Sequence, residues 1–230
     1  MELRELSRRA TALVPADGRR RAILGICGPP GAGKTTLAED LVRSLTDSHG
    51  ERWAVHVPMD GFHLADVQLR QLGLADRKGA PESFDPDGYA ALLGRLASGS
   101  GAVVYAPGFE RDLEQPIAAA IAVPPETRLV VTEGNYLLLE DPQWAAARSW
   151  MREVWYVDAD PALRRERLIA RHVQFGKTPE NAREWVLRAD EANARLVEAT
   201  RHRADVAVGQ PGGFRWGAFG EWTCTRPSKE

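Results

Sequence analysis

Long apolar runs are missing from this chain, and that absence removes several classes of protein at once. The longest uninterrupted stretch, Ile117 to Val123, has seven residues, too short for a bilayer span or for the apolar core of a signal peptide. The chain therefore reads as mature and cytoplasmic, with no membrane partner. Cysteine is almost absent: Cys27 and Cys224 stand far apart and match no C-x-x-C or zinc spacing, and the five histidines show no metal-ligand spacing either. Lysine is scarce too, with four among 30 basic residues, so arginine does nearly all the positive work. A net charge of −2 and a pI near 6.2 leave no overall field for nucleic acid, which excludes nucleic acid as the expected partner.

What is present is enough for a sizeable core. With 230 residues, 43% of them hydrophobic, the chain can form one α/β domain with a small lid. Leu3, Leu6, Ala10 and Leu13 recur at helical spacing ahead of the apolar run Ala22 to Cys27, which reads as a buried strand. Residues 35–45 read as a helix and 53–57 as a second strand. Further strand candidates lie at 102–105, 128–132, 154–158 and 205–208, short apolar runs of the kind found in sheets covered on both faces. Four helix starts share one signature, a capping Asp or Thr followed by Pro: Asp85-Pro86, Asp141-Pro142, Asp160-Pro161 and Thr178-Pro179. The expected fold is a three-layer α/β domain with a mostly parallel sheet over residues 1–208, a helical lid at about 164–185, and an irregular tail over 209–230.

Directly after the first strand, residues 28 to 35 read Gly28-Pro29-Pro30-Gly31-Ala32-Gly33-Lys34-Thr35, a complete G-x-x-x-x-G-K-[ST] phosphate loop. Its glycines let backbone N–H groups curl around phosphate oxygens, Lys34 reaches the outer phosphates, and the Thr35 hydroxyl is placed to hold Mg²⁺. Thr36 continues the cradle into the helix. Pro29 and Pro30 lack N–H groups, but the donors come from the second half of the loop.

Ligands in open α/β sheets gather beyond the carboxyl ends of the strands. Strand two ends at Asp60 and the 128–132 strand at Glu133, so two carboxylates would face one nucleotide. Phosphoryl transfer needs positioning, charge neutralisation and a carboxylate beside the attacking hydroxyl. Asp60 is the candidate base and Glu133 the candidate holder of a metal-bound water; a turn aspartate and a strand-end cap are the plain alternatives. On the 161–174 helix, Arg164, Arg167 and Arg171 share one face before the break Gly176-Lys177-Thr178-Pro179. A solvated basic face is the ordinary reading of such a run.

The motifs GPPGAGKT from Gly28, MDGFHL from Met59, ESFDPDGYAALL from Glu82, YAPGFERDLEQP from Tyr105, VTEGNYLLL from Val131 and RHVQFGKTPENAREWV from Arg171 together resemble P-loop kinases of the uridine kinase, pantothenate kinase and phosphoribulokinase branch. The likeness is nearest to bacterial nucleoside or nucleotide kinase family proteins, some called fructose-transport kinases. It implies ATP and Mg²⁺ as cofactors, a small-molecule acceptor, Asp60 acting on the acceptor hydroxyl, Glu133 assisting the magnesium, and Arg167 and Arg171 as lid arginines. It also places the loop carrying Tyr105, Phe109 and Arg111 over the acceptor, with Arg111 paired to Glu110 or Asp112 as the structural alternative. His63 joins them where a nucleoside kinase has another residue, and Asp190, Asn193, Phe84 and Asp85 are weaker candidates. A switch or motor NTPase is the rival, disfavoured because no Asn-Lys-x-Asp stretch occurs and the strand carrying Glu133 ends without an Asp. A regulator without catalysis is disfavoured by the intact Lys34, Thr35, Asp60 and Glu133. A homodimer is compatible with the chain but not specified by it.

Overall fold

The computed structural model describes residues 2–17, 20–99, 101–209 and 223–225. A six-stranded sheet forms its centre in the order β2 (Ala54–His56), β5 (Leu129–Gly134), β1 (Ala22–Cys27), β6 (Glu153–Asp158), β7 (Val206–Gly209), β8 (Thr223–Thr225). The first five run parallel and β8 pairs antiparallel to β7. Every residue of β1 and β5 is buried, as near-continuous apolar runs require when both faces are covered. Alternate side chains feed two cores. Leu24, Ile26, Leu129 and Val131 pack with Leu6 of α1 (Leu3–Ala12) and Leu37, Leu41 and Leu45 of α2 (Lys34–His49). Ile23, Val130, Val154 and Tyr156 pack with Tyr89, Leu93 and Leu96 of α4 (Pro86–Ser98) and Trp144 of α5 (Pro142–Arg148). A short helix, α3 (Asp66–Gln71), lies between β2 and α4.

All four expected caps form. Asp85, Asp141, Asp160 and Thr178 accept hydrogen bonds from backbone N–H groups in the first turns of α4, α5, α6 (Pro161–Gln174) and α7 (Pro179–Trp185). Each such cap stabilises its helix by about 1 kcal/mol. A π-turn at Val186–Asp190 joins α7 to α8 (Glu191–Glu198) without a break.

Two expectations for the sheet need correction. The run at 102–105 does not enter the parallel sheet; it opens β3 (Val104–Glu110), which pairs only with β4 (Gln115–Val123) in a separate antiparallel hairpin. Its outward side chains include exposed Val103 and Tyr105, and β4 is mostly exposed, so this segment lacks the two covered faces that its apolar composition suggests. The tail is not wholly irregular either, because Thr223–Thr225 extends the sheet as β8; residues 210–222 and 226–230 lie outside the described residues. No helix among the described residues is long and apolar enough to cross a membrane.

Candidate active site

The phosphate loop sits between β1 and α2 as the sequence requires. Gly31 and Gly33 have φ of 77° and 93°, left-handed values that favour glycine, and a Cβ on Gly31 would lie 2.9 Å from the Arg164 carbonyl oxygen. The loop is thus pressed against α6. Lys34 is buried, and its Nζ donates to the Pro29 carbonyl at 3.1 Å and to Asn135 Oδ1 at 2.6 Å. Burial lowers its pKa, opposed by Glu133 and Asp60. An anionic phosphate is the partner that would complete its charge.

Tyr89 and Thr132 share a 2.6 Å hydrogen bond, and the Thr132 hydroxyl donates to the Val57 carbonyl, which locks α4, β5 and the end of β2 together. The residues just beyond these strands inherit that precision. Glu133, 3% exposed, accepts a hydrogen bond from the Thr35 hydroxyl at 3.1 Å. Burial first, then the Asp60 charge, push its carboxyl up to about 7. His56 Nε2 lies 3.9 Å from Glu133 Oε1, buried and without a hydrogen-bond partner among the described residues. A buried carboxylate short of positive charge, converging with a hydroxyl, fits a hard cation. Mg²⁺ would be held by Thr35 and by Glu133, directly or through a water, with phosphates and waters completing its shell.

Asp60 lies in the turn Met59–Phe62, and the hairpin closes over it: a Cβ on Gly61 would come within 2.5 Å of the Pro107 carbonyl oxygen. Only glycine allows that approach. Arg111, in the hairpin turn, donates from Nη2 to Asp60 Oδ2 at 3.0 Å. It therefore pairs with Asp60 rather than with its neighbours Glu110 or Asp112. Burial alone would raise the Asp60 pKa, but His63, Arg111, Lys34 and Arg171 together hold it below the usual carboxylate range. His63 is wedged between Phe84 and Phe109, with ring centroids 3.9 and 5.0 Å away, and its Nδ1 contacts the Asp60 carbonyl at 2.9 Å. Tyr105 is not brought to this group: it stands 58% exposed near the start of β3, on the face that carries Phe109 four residues later. A cavity of about 530 Å³ lined by Asp85, Asp141 and Trp144 adjoins this side at Phe84.

The three arginines of α6 divide their tasks. Arg164 is 1% exposed and structural: Nη1 donates to the Pro30 carbonyl and Nη2 bonds Glu191, clamping the phosphate loop to α8. Arg171 is largely enclosed near Lys34, Asp60 and Arg111, and burial followed by the Arg111 charge lowers its pKa. Arg167 is half-buried one turn earlier. Asp190, in the π-turn, pairs with His172 at 2.9 Å, and Asn193 Nδ2 donates to the Gly79 carbonyl, which also accepts from the Tyr136 hydroxyl.

Three contributors escaped the sequence: Asn135, His56 and Lys78. Asn135 follows Glu133-Gly134, so its place beyond a strand was a usable signal. Lys78 reaches the site from a segment without any motif, bonding Asp66 and the Glu114 carbonyl.

No protein-family model matches the chain. It is 31% identical over 212 residues to a uridine kinase-like protein of Schizosaccharomyces pombe, covering 90% of this chain and 89% of that one. The solved structure of a fructose transport system kinase-like protein from Silicibacter sp. TM1040 superposes with a TM-score of 0.82 at 34% identity, over 92% of this chain and all of that one. Pantothenate kinase of Lacticaseibacillus casei is 29% identical over 142 residues, 61% of this chain and 46% of that enzyme. The fold and the phosphate loop define a P-loop NTPase with a three-layer α/β architecture. Within that class the chain belongs to the P-loop kinases related to uridine and pantothenate kinases, phosphotransferases that act on small metabolites.

Proposed function

We propose that the protein uses ATP with Mg²⁺ and transfers the γ-phosphoryl group to a hydroxyl of a small metabolite, with Asp60 as the base. The observation that carries this reading is a set of contacts that converge behind the phosphate loop: Lys34 Nζ bonds Asn135 at 2.6 Å, the Thr35 hydroxyl bonds Glu133 at 3.1 Å, and Asp60 is held by Arg111 at 3.0 Å, with Arg171 near enough to act on Lys34 and Asp60. Residues Gly28 to Thr36 cradle the phosphates. Mg²⁺, when bound, would neutralise phosphate charge. Lys34 and Arg171, with Arg167 beside it, stabilise the charge on the transferring group, and the α6–α7 segment acts as a lid that excludes water. His63, Phe109 and Arg111 position the acceptor.

The hydroxyl oxygen attacks phosphorus, the bond to the bridging oxygen of ADP breaks with its electron pair leaving on ADP, and the hydroxyl proton passes to Asp60. A carboxylate held below its ordinary pKa is too weak to deprotonate an alcohol beforehand. Asp60 thus orients the hydroxyl and takes the proton late, which suits a loose phosphoryl transition state. A cytoplasmic location, where ATP and Mg²⁺ are at hand, is part of this reading.

The test is ADP release from ATP and Mg²⁺ across nucleosides, vitamins and sugars, run beside Asp60→Asn with product masses recorded. Acceptor-dependent turnover that collapses in the variant supports the reading. Slow ADP release that ignores both the acceptor and the substitution would replace it with a nucleotide-dependent switch.

A further inference from the structure

We propose that the acceptor carries an anionic group, a carboxylate or a phosphate, a few bonds from the hydroxyl that is phosphorylated, and that Arg111 recognises it. This inference rests on the kinase reading above and narrows it to a substrate class.

Beside Asp60 stands a guanidinium whose donors are only partly used. Arg111 spends one Nη on Asp60 at 3.0 Å, and its remaining nitrogens donate to none of the described residues. The guanidinium is steadied by the Phe109 ring, with its carbon 5.5 Å from the centroid, and Lys78 Nζ stands 5.9 Å from the same centroid. Two cations therefore share one aromatic wall. Arg171 faces them from the lid, repelled by Arg111 and without an ion pair within 4.0 Å among the described residues. The anions nearby are largely committed: Asp60 to Arg111, Asp66 to Lys78, Asp190 to His172, and Glu133 to the Thr35 hydroxyl. Glu114, which acts on Arg171, is exposed at the hairpin turn.

A nucleotide phosphate accounts for Lys34 and Arg171, because both belong to the phosphate loop and the lid. It leaves the unused donors of Arg111 over. Arg111 and Lys78 come from the hairpin turn and the 72–81 segment, outside the phosphate loop and α6, and each already holds one carboxylate, Asp60 and Asp66. A neutral sugar or nucleoside would meet the open edge of the guanidinium with dipoles only, whereas an anion meets it with full charge. The guanidinium fork suits a carboxylate or phosphate accepting two parallel hydrogen bonds. Because the same guanidinium already touches Asp60, an anion on its unused nitrogens would sit next to the hydroxyl that Asp60 addresses. Recognition and positioning of the nucleophile would then depend on one side chain.

Matched acceptor pairs test this with the full chain, ATP and Mg²⁺: glycerate against glycerol, pantothenate against pantothenyl alcohol, and fructose 6-phosphate against fructose. Wild type, Arg111→Gln and Arg111→Lys are compared by kcat/KM, with product masses. In at least one pair the anionic member should be preferred by about 100-fold or more. Arg111→Gln should reduce that preference to below about 5-fold, chiefly through KM for the anionic member, and Arg111→Lys should restore part of it. The ratio between members is the readout, since losing the Asp60 contact slows both alike. The first two pairs report a carboxylate and the third a phosphate. Equal or better turnover of the neutral members, or a preference that survives Arg111→Gln, overturns the inference and leaves the kinase standing. Phosphorylation of a nucleoside but of neither member in any pair overturns this inference alone, and no acceptor-dependent turnover with any of these compounds, with ATP bound, overturns the kinase reading and this inference with it.

Discussion

The proposed nucleotide half of the cleft and the proposed acceptor half are built on different terms. On the nucleotide side the groups that would meet the ligand stand at the ends of β1 and β5, strands paired over six consecutive residues and buried throughout. Much of the recognition there belongs to the backbone of one continuous segment, Gly28 to Thr36, pressed against α6 by Gly31. On the acceptor side a two-stranded hairpin, a one-turn helix at Met59–Phe62 and Arg171 of α6 would contribute single side chains, and Arg111 reaches Asp60 across 51 positions of sequence. A backbone cradle tolerates changes of side chain but not of chain path, whereas a site of converging side chains can be retuned one residue at a time. That division suits a family whose phosphate chemistry is constant and whose acceptors differ.

The sharpest way to separate the halves is Asp60→Asn. It removes the proposed base and leaves the phosphate loop untouched, so kcat should fall by about 10³-fold while ATP affinity stays within about twofold. Equilibrium nucleotide binding and single-turnover rates measure the two quantities separately. Loss of both together would mean that Asp60 belongs to the nucleotide side.

Gly61→Ala probes the contact on which the acceptor half is hung. The added methyl would meet backbone, the Pro107 carbonyl at 2.5 Å, and backbone cannot swing aside as a flexible side chain can. The hairpin must move and carry Arg111 and Phe109 with it. A fall of about 10- to 100-fold in kcat/KM for the acceptor, with ATP affinity kept, is expected from a displacement of that kind. Unchanged acceptor kinetics would show that the hairpin does not form the acceptor wall.

Glu133→Gln turns the comparison towards stability. In the free protein this carboxyl holds its proton up to about 7, while an unperturbed glutamate loses it near 4.5. The folded state binds more protons between those values, so Glu133 makes stability fall as pH rises from 4.5 through 7. A glutamine removes that penalty, and the metal-free variant should be more stable than wild type by about 1–2 kcal/mol at pH 8, with the difference shrinking towards pH 5. Urea melts at both pH values report it. Equal destabilisation at both would mean that the Thr35 hydrogen bond outweighs the buried charge.

The nucleotide half was largely legible in the sequence because its signals are local. A strand, six loop residues and a helix carry the phosphate site in one stretch, and Asp-Pro or Thr-Pro marks four helix starts within two residues each. The acceptor half was legible in its residue types but not in its architecture. The turn after β3 has no Gly or Asn, and the residue with φ of 52° is Glu114, so no hairpin signal stood between Glu110 and Gln115. The register shift lies in β4, four residues from Ile117 to Ile121 against two from Ala106 to Gly108, and the inward positions of β3 are only Val104, Ala106 and Gly108, a weak apolar signal for a strand. Arg164 shows the same limit inside α6: its spacing matches Arg171, but only the packing of the phosphate loop decides that one arginine is a clamp and the other faces the cleft.

Tyr105 and Phe109, on the same face of β3, give the finest test of how far along the strand the site extends. Both are aromatic and four residues apart, but Tyr105 is 58% exposed, whereas Phe109 stacks towards His63 at 5.0 Å and under Arg111 at 5.5 Å. Without the Phe109 ring, Arg111 loses the surface that steadies its guanidinium and His63 loses one of its two aromatic walls. Phe109→Ala should therefore weaken acceptor KM by about 5- to 10-fold, the size of one aromatic or cation–π contact in a partly desolvated place. Tyr105→Ala, at the solvent-exposed far end of the same face, should leave KM within about twofold and stability within about 0.5 kcal/mol. Measured side by side on one acceptor, a larger effect at Tyr105 than at Phe109 would place the acceptor at the Tyr105 end of the hairpin, and Arg111 could then no longer be the group that holds it.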